Sequence, residues 1–264
     1  MENISNLEVY NTNMAKSMED KLFFMNIIGK DIDALVDFGC ADGVLLKAVE
    51  QINPNIPLFG IDMNEKMIEK AQEKCPNGKF RISKLPVINT FPCKGSLNLS
   101  SVLHEVYSYS SSIEERTFWE NVTYSEYEYI IIRDMIYNDN ATKLANKNDI
   151  DKVYSRYKDY VFDNADEIGN VYEFEDIWGS IKYKKNLVHY LLKYRYLVNW
   201  KREVKENYLG YSTEDIIKNI GNNYQLIYRK DYILPYLYNK VKEDFGIELD
   251  TPTHTNLIFK LKKG

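Results

Sequence analysis

The chemistry-bearing residues of this chain gather in a few short stretches of its first half. The segment VDFGCADG (36–43) joins an apolar run, DALVDF (33–38), to a helical pattern over 44–51. Glycine at such a junction lets a ligand approach the backbone closely, and the helix N-terminus that follows favours an anionic group. Asp62 ends the next apolar run, PLFGID (57–62), and lies 19 residues beyond Gly43. That is the reach of a carboxylate that accepts hydrogen bonds from ribose hydroxyls. The alternative is a tight strand-to-helix turn with no ligand. His104 is the leading base candidate, because an unperturbed imidazole titrates near neutral pH. The competing reading is a histidine that only orders its loop. Glu105 is either a catalytic group or a helix N-terminal acid, and Asp134 is suited to accept from a substrate N–H or O–H. Cys40, inside the turn, reads as packing.

These residues need elements to hold them. Short apolar runs alternate with helical stretches through residue 134. Strands are predicted at 33–38, 57–62, 79–83, 95–101 and 129–134, with helices at 14–28, 44–51, 64–75 and 113–124. Asn64 is a natural N-cap for the third of these helices. Strand–helix alternation implies βαβ units and a mostly parallel sheet. From about 140 to 210 the pattern is helical. A helix over 212–220 and strands over 224–230 and 253–263 close the chain.

The turn has the layout D-x-G-x-x-x-G rather than GxGxxG, with Asp37 inside the strand end. VDFGCADG, FGIDMN (59–64), LNLSSVLHEVYSY (97–109) and YIIIRD (129–134) together resemble the class I S-adenosylmethionine (SAM) dependent methyltransferases. The resemblance covers residues 31–134 and resumes at the C-terminus. It implies a Rossmann-like methyltransferase fold: a mostly parallel seven-stranded sheet with an antiparallel last strand, ending in a hairpin of strands six and seven. The helical insertion falls between strands five and six. It implies SAM as cofactor, with Asp37, Gly39, Ala41 and Gly43 at the methionine end. Asp62 would hold the ribose, Met63 would pack on the adenine, and Ser100 would approach the amino-acid moiety. Ser83 stands where such proteins often carry an acid near the adenine. Ala41 stands where the family has a further glycine, which argues against a pyrophosphate ligand.

In an open α/β sheet the ligand lies beyond the carboxyl ends of the parallel strands. That places His104, Glu105, Arg133 and Asp134 at a cleft. An antiparallel last strand brings in His254, and His189 of the insertion would make all three histidines face one cleft. The insertion is expected to select the acceptor, since roughly 90 residues separate Asp134 from Tyr224 where a simple connection needs about 30. Within YLVNWKREVKENYLGYS (196–212), the residues Tyr196, Trp200, Arg202, Glu203, Glu206, Asn207 and Tyr208 either line a cap over the cleft or form an amphipathic helix packed by Tyr and Trp.

Composition bounds the rest. The 264 residues are 44% hydrophobic and 28% charged, which excludes disordered and collagen-like classes. No apolar run reaches the roughly 18 residues of a membrane span, and MENISNLEVY lacks signal-peptide features. Cys40, Cys75 and Cys93 show no CxxC or CxxH spacing, so a reduced cytoplasmic setting is expected. Asp134, Asn138 and Asp139 are too thin a cluster for a metal, and none is expected. Three segments follow: a SAM-binding core at 1–139, a helical cap at 140–210, and the end of the core at 211–264. Residues 1–134 carry net −7 and the remainder +2. The stretch 181–205 holds eight Lys/Arg and one acid, and 16 of the 22 tyrosines lie between 137 and 238. A small-molecule acceptor and an RNA acceptor bound by that basic, Tyr-rich insertion both fit, with the small molecule favoured. A non-catalytic SAM-binding domain is the third reading.

Overall fold

A computed structural model describes residues 18–83, 95–138 and 142–262 of the chain. Cys93, Asp139 and the first residues of the helix expected over 14–28 lie outside them. The described part of that helix is two short helices, α1 (Met18–Lys21) and α2 (Met25–Ile28). The turn between them carries Phe24, whose ring is completely buried.

Seven strands form one sheet: β1 (Leu35–Phe38), β2 (Leu58–Asp62), β3 (Lys79–Ile82), β4 (Ser96–Ser100), β5 (Tyr129–Met135), β6 (Tyr224–Tyr232) and β7 (His254–Leu261). Their spatial order is β3-β2-β1-β4-β5-β7-β6. The first five strands pair in parallel, and Asp37 of β1 sits opposite Gly60 of β2 and Asn98 of β4. β1 and β4 are buried along their whole length, including the polar face of β4 formed by Ser96, Asn98 and Ser100. The last strands run antiparallel. The N–H of Leu261 meets the carbonyl of Glu128, and the N–H of Lys262 meets that of Asn223.

Helices α3 (Val44–Ile52), α4 (Glu65–Lys74), α5 (Leu103–Tyr109) and α6 (Ser112–Tyr124) connect the parallel strands. Asn64 caps α4 by accepting from the N–H groups of Lys66 and Met67. Ser111 and Glu114 form a capping box on α6. The second half is helical: α7 (Lys147–Asp163), α8 (Val171–Trp178), α9 (Lys184–Lys193), the short α10 (Trp200–Glu203) and α11 (Thr213–Ile220).

The expected hairpin of the last two strands is corrected. An eleven-residue helix, α12 (Pro235–Phe245), separates them. Pro235 in its first turn and Gly246 in the left-handed conformation at its end are the local signals that set its limits.

Two compact units result. One holds the described residues through Asp134, together with 214–230 and the residues from 256 on. The other holds 135–213 and 231–255. The first is centred on Phe24, Leu35, Leu46, Val49, Ile131 and Ile258. The second is a helical unit centred on Phe174, Tyr190, Leu191, Tyr194, Val204 and Val241. Among the described residues no helix is long and apolar enough to cross a membrane.

Candidate functional site

Strand β1 ends in the turn that carries most of the expected ligand-facing residues. Gly39, Ala41 and Gly43 all have positive φ, at 76°, 47° and 75°. Packing also demands glycine at two of them. A Cβ on Gly39 would lie 2.9 Å from Val102 Cγ2, and one on Gly43 would lie 3.0 Å from the Ala71 side chain. The turn thus brings bare backbone to the start of α3.

Asp62 holds this turn from β2. Its carboxylate accepts from the N–H of Ala41 at 2.9 Å and of Asn64 at 2.8 Å. Burial raises its pKa, against the pull of those backbone donors. Its two oxygens can accept further hydrogen bonds beside these backbone donors, so the group fits a ligand that brings hydroxyls. Met63 beside it is 36% exposed. Ser83 donates its N–H to the carbonyl of Asp62.

Asp37 is buried and accepts from Asn98 Nδ2 at 2.7 Å. Burial pushes its pKa up to about 7, against the hydrogen bond from Asn98 and the charge of Lys21. Nearby on β4, Asn98 Oδ1 and Ser100 Oγ are buried without a protein partner. Unsatisfied buried acceptors are rare because each forfeits its hydration. A cationic donor from a ligand, such as an α-ammonium, would satisfy them. The residues present therefore fit the methionyl and ribose ends of SAM.

His104 and Asp134 form a couple. His104 Nδ1 lies 2.9 Å from Asp134 Oδ1, and Asp134 Oδ2 accepts from the N–H groups of Val102 at 2.9 Å and Leu103 at 2.7 Å. All three donors come from the start of α5, so the end of β5 is tied to the loop after β4. Both side chains are buried. Glu105 follows on the same turn and is partly exposed.

Arg133 takes a position other than the one expected of a substrate contact. It is buried, with Nε and Nη2 each 2.7 Å from Asp20 Oδ2 and Nη1 2.8 Å from Ser101 Oγ. The pair locks α1 to the end of β5. Lys21, the next residue of α1, is 3% exposed. Its pKa is lowered to about 8 by burial and by Arg133, against the attraction of Asp37, Asp134 and Asp20. Sequence reasoning missed Asp20, Lys21 and Asn98.

The three histidines have separate surroundings. The ring of His189 packs against Phe174 and Trp178 in the core of the helical unit, with Nε2 3.1 Å from the Glu206 carbonyl and 3.2 Å from the Tyr208 nitrogen. Burial and Lys193 lower its pKa. His254 is buried with Nδ1 2.8 Å from Thr253 Oγ1 and its ring beside Tyr232.

The segment 196–212 turns its polar side inward. Arg202 pairs with Glu206 at 2.8 Å. Tyr208 donates to Glu203, and Lys193 donates to the carbonyls of Glu203 and Glu206. Lys193 is fully buried and lies 4.5 Å from the centre of the Tyr208 ring, and burial lowers its pKa to about 7. Trp200 donates to Glu173 at 2.8 Å and, with Arg202, borders a cavity of about 610 Å³ inside the helical unit. Tyr196 is 37% exposed. Among the described residues, no three His, Cys, Asp or Glu side chains group as a metal site.

No protein-family model matches the chain, and no curated protein matches it in sequence. Solved structures do. The plantazolicin methyltransferase BpumL, solved with a triazolic desmethylPZN analog and SAH, superposes with a TM-score of 0.52 at 11% identity, covering 98% of this chain and 89% of that one. BamL, another plantazolicin methyltransferase solved with the same kind of analog and SAH, gives 0.52 at 11% identity, covering 97% and 88%. The PH0226 protein of Pyrococcus horikoshii gives 0.52 at 10%, covering 98% and 95%. The chain has a class I methyltransferase fold. In that methyltransferase fold the turn of residues 39–43, Asp62 and the His104–Asp134 couple all belong to the carboxyl ends of the parallel strands, where open α/β sheets bind their ligands.

Proposed function

We propose that this protein is a SAM-dependent methyltransferase that acts on an O–H or N–H group of a small molecule. The observation that carries the reading is the His104–Asp134 couple at the ends of β4 and β5, in the same unit as the turn and Asp62. Bound SAM supplies an electrophilic methyl group on a sulfonium. Asp37, Ser100 and the 39–43 turn hold its methionyl end, and Asp62 accepts from its ribose hydroxyls. Met63 offers an apolar face to the adenine, with Ser83 beside it.

His104 acts as the base. An anionic Asp134 takes the proton-bearing Nδ1 as its donor, which leaves Nε2 as the basic nitrogen. The two backbone N–H groups on Asp134 Oδ2 fix the carboxylate, so the imidazole plane is fixed too. Nε2 takes the acceptor's proton as the methyl group leaves, and the imidazolium formed rests against Asp134. Much of the rate would come from positioning, because the sulfonium is already a good leaving group. Glu105 is a second candidate for contact with the acceptor, as is His254.

The RNA reading keeps Tyr183, Lys182, Lys201 and Lys205 at the surface and loses others. Tyr190 and Tyr194 are buried, so they offer no stacking face. Lys184 and Arg195 are paired with Asp250 and Asp244, and Lys193 and Arg202 lie inside the helical unit. A cavity of about 610 Å³ beside Trp200 suits a small ligand. Of the candidate acceptor residues, Trp200 and Arg202 line that cavity within the helical unit. Titration calorimetry with SAH tests the cofactor assignment. Binding that is lost in Asp62→Ala supports it, and no binding by the unaltered protein overturns it.

A further inference from the structure

Two neighbouring residues of β5 hold the loop that carries His104, and each holds a different part of it. Asp134 takes the later part, accepting from the N–H groups of Val102 and Leu103 and engaging His104 Nδ1. Val102, at the N-cap position of α5, makes no side-chain cap of its own, so Asp134 caps this helix from another element. Arg133 takes the earlier part. Its carbonyl accepts from the N–H of Ser101 at 2.7 Å, and its Nη1 donates to Ser101 Oγ at 2.8 Å. Ser101 is the residue at which the chain leaves β4, and its φ is 56°. That left-handed conformation is unfavourable for any residue with a Cβ and persists only where its surroundings fix it. The guanidinium that fixes it is buried and is itself held by Asp20 of α1, with Nε and Nη2 each 2.7 Å from Oδ2.

Resting on the reading of His104 as the base, we propose that Arg133 is a positioning residue for it. Held by Asp20, the guanidinium keeps Ser101 in the left-handed turn that delivers the amides of Val102 and Leu103, and His104 behind them, to Asp134. Arg133 acts through Ser101 rather than on the reacting atoms. The state of the base then depends on the docking of α1, because Asp20 supplies the carboxylate that orients the guanidinium. A plain staple between α1 and the sheet would add stability and leave His104 as it was. The two roles separate at residue 101. Glycine adopts a positive φ without support, so Ser101→Gly makes the arginine dispensable to the base.

The test reads the imidazole nitrogens of the isotope-labelled full chain by NMR. Three histidines give three sets of signals, and His104→Gln identifies the set of His104. In the unaltered protein neutral His104 is expected to carry its proton on Nδ1 in preference to Nε2 by about tenfold or more, as for a charge-assisted hydrogen bond to Asp134. Ser101→Ala removes the hydroxyl and keeps the strain, so it should lose that preference, whereas Ser101→Gly should keep it. Arg133→Gln should lose it too, and adding Ser101→Gly to Arg133→Gln should restore it. Thermal melts on the same samples check that each variant is folded. A proton on Nε2 in the unaltered protein removes the base reading, and this one with it. A preference for Nδ1 that survives in both Ser101→Ala and Arg133→Gln overturns the role of Arg133 while leaving His104 as the base. A preference lost in Arg133→Gln that adding Ser101→Gly does not restore also overturns it, since a structural staple would behave so. The two variants at residue 101 keep the buried ion pair, so their comparison stands even where Arg133→Gln does not fold.

Discussion

At the scale of single residues, burial sets the chemistry. Desolvation, helped by the charge of Asp62 from β2, raises the pKa of Asp37 to about 7 against the hydrogen bond from Asn98 of β4 and the charge of Lys21. Asp37 is therefore largely protonated at pH 6 and ionised at pH 8. A ligand ammonium prefers the ionised form, so affinity for SAH should rise from pH 6 to about 7.5 and binding should release protons in that range. Calorimetry in buffers of different ionisation enthalpy reads this rise, and Asp37→Asn should flatten it. His104 carries the second prediction. Once an acceptor is in hand, His104→Gln should lower kcat by about 10²–10⁴-fold with SAH affinity unchanged. Retention of full kcat would leave His104 as a loop-ordering residue, with catalysis by positioning alone.

At the scale of elements, the 39–43 turn is a strained connection that neighbouring helices hold. Gly43 combines a φ of 75° with an Ala71 side chain 3.0 Å from any added Cβ. Gly43→Ala should cost about 1–3 kcal/mol in denaturant unfolding, because strain and a backbone-side contact add. An effect within a few tenths would mean α3 and α4 separate easily. The turn, Asp62 and the His104 region were legible because each is local: a strand end and a turn announce themselves within ten residues. α12 was also marked locally, by Pro235 and Gly246, yet the expected hairpin overrode those signals. Asp20, Lys21 and Asn98 were not legible. They reach the site from 16 to 61 residues away from Asp37, and only the sheet order and the packing of α1 bring them together. Arg133 illustrates the same limit, since a strand-end arginine can face a ligand or a helix, and Asp20 decides which.

At the scale of the whole molecule, the two units have different cores. The excess of tyrosine after residue 137 goes largely into the helical unit, where Tyr190, Tyr194 and Tyr208 are buried and Tyr137, Tyr154, Tyr157 and Tyr238 pack around them. At its centre Lys193 is fully buried with a pKa lowered to about 7. The unfolded chain binds a proton there up to about pH 10.5, the folded one only up to about 7. Stability from this group should therefore rise with pH between those values, with a limiting slope of about 1.4 kcal/mol per unit. Denaturant melts at pH 7.5 and 9.5 should show the rise in the unaltered protein and a smaller one in Lys193→Met. Equal pH dependence in the two would place the lysine's charge in contact with water.

The sequence by itself determined the strand–helix alternation, the turn chemistry of residues 37–43 and the carboxylate at 62, because all follow from local spacing and backbone sterics. It also determined that Arg202, Glu203, Glu206 and Tyr208 share a region. Which way that region faces belongs to the tertiary structure. Spacing tells which side chains lie together, and only the packing of Phe174, Trp178 and Lys193 against them makes the shared face an interior one. The charge pairing of Asp20 with Arg133 is likewise a product of long-range packing. A charge finds its partner in space, and spacing along the chain does not encode that distance.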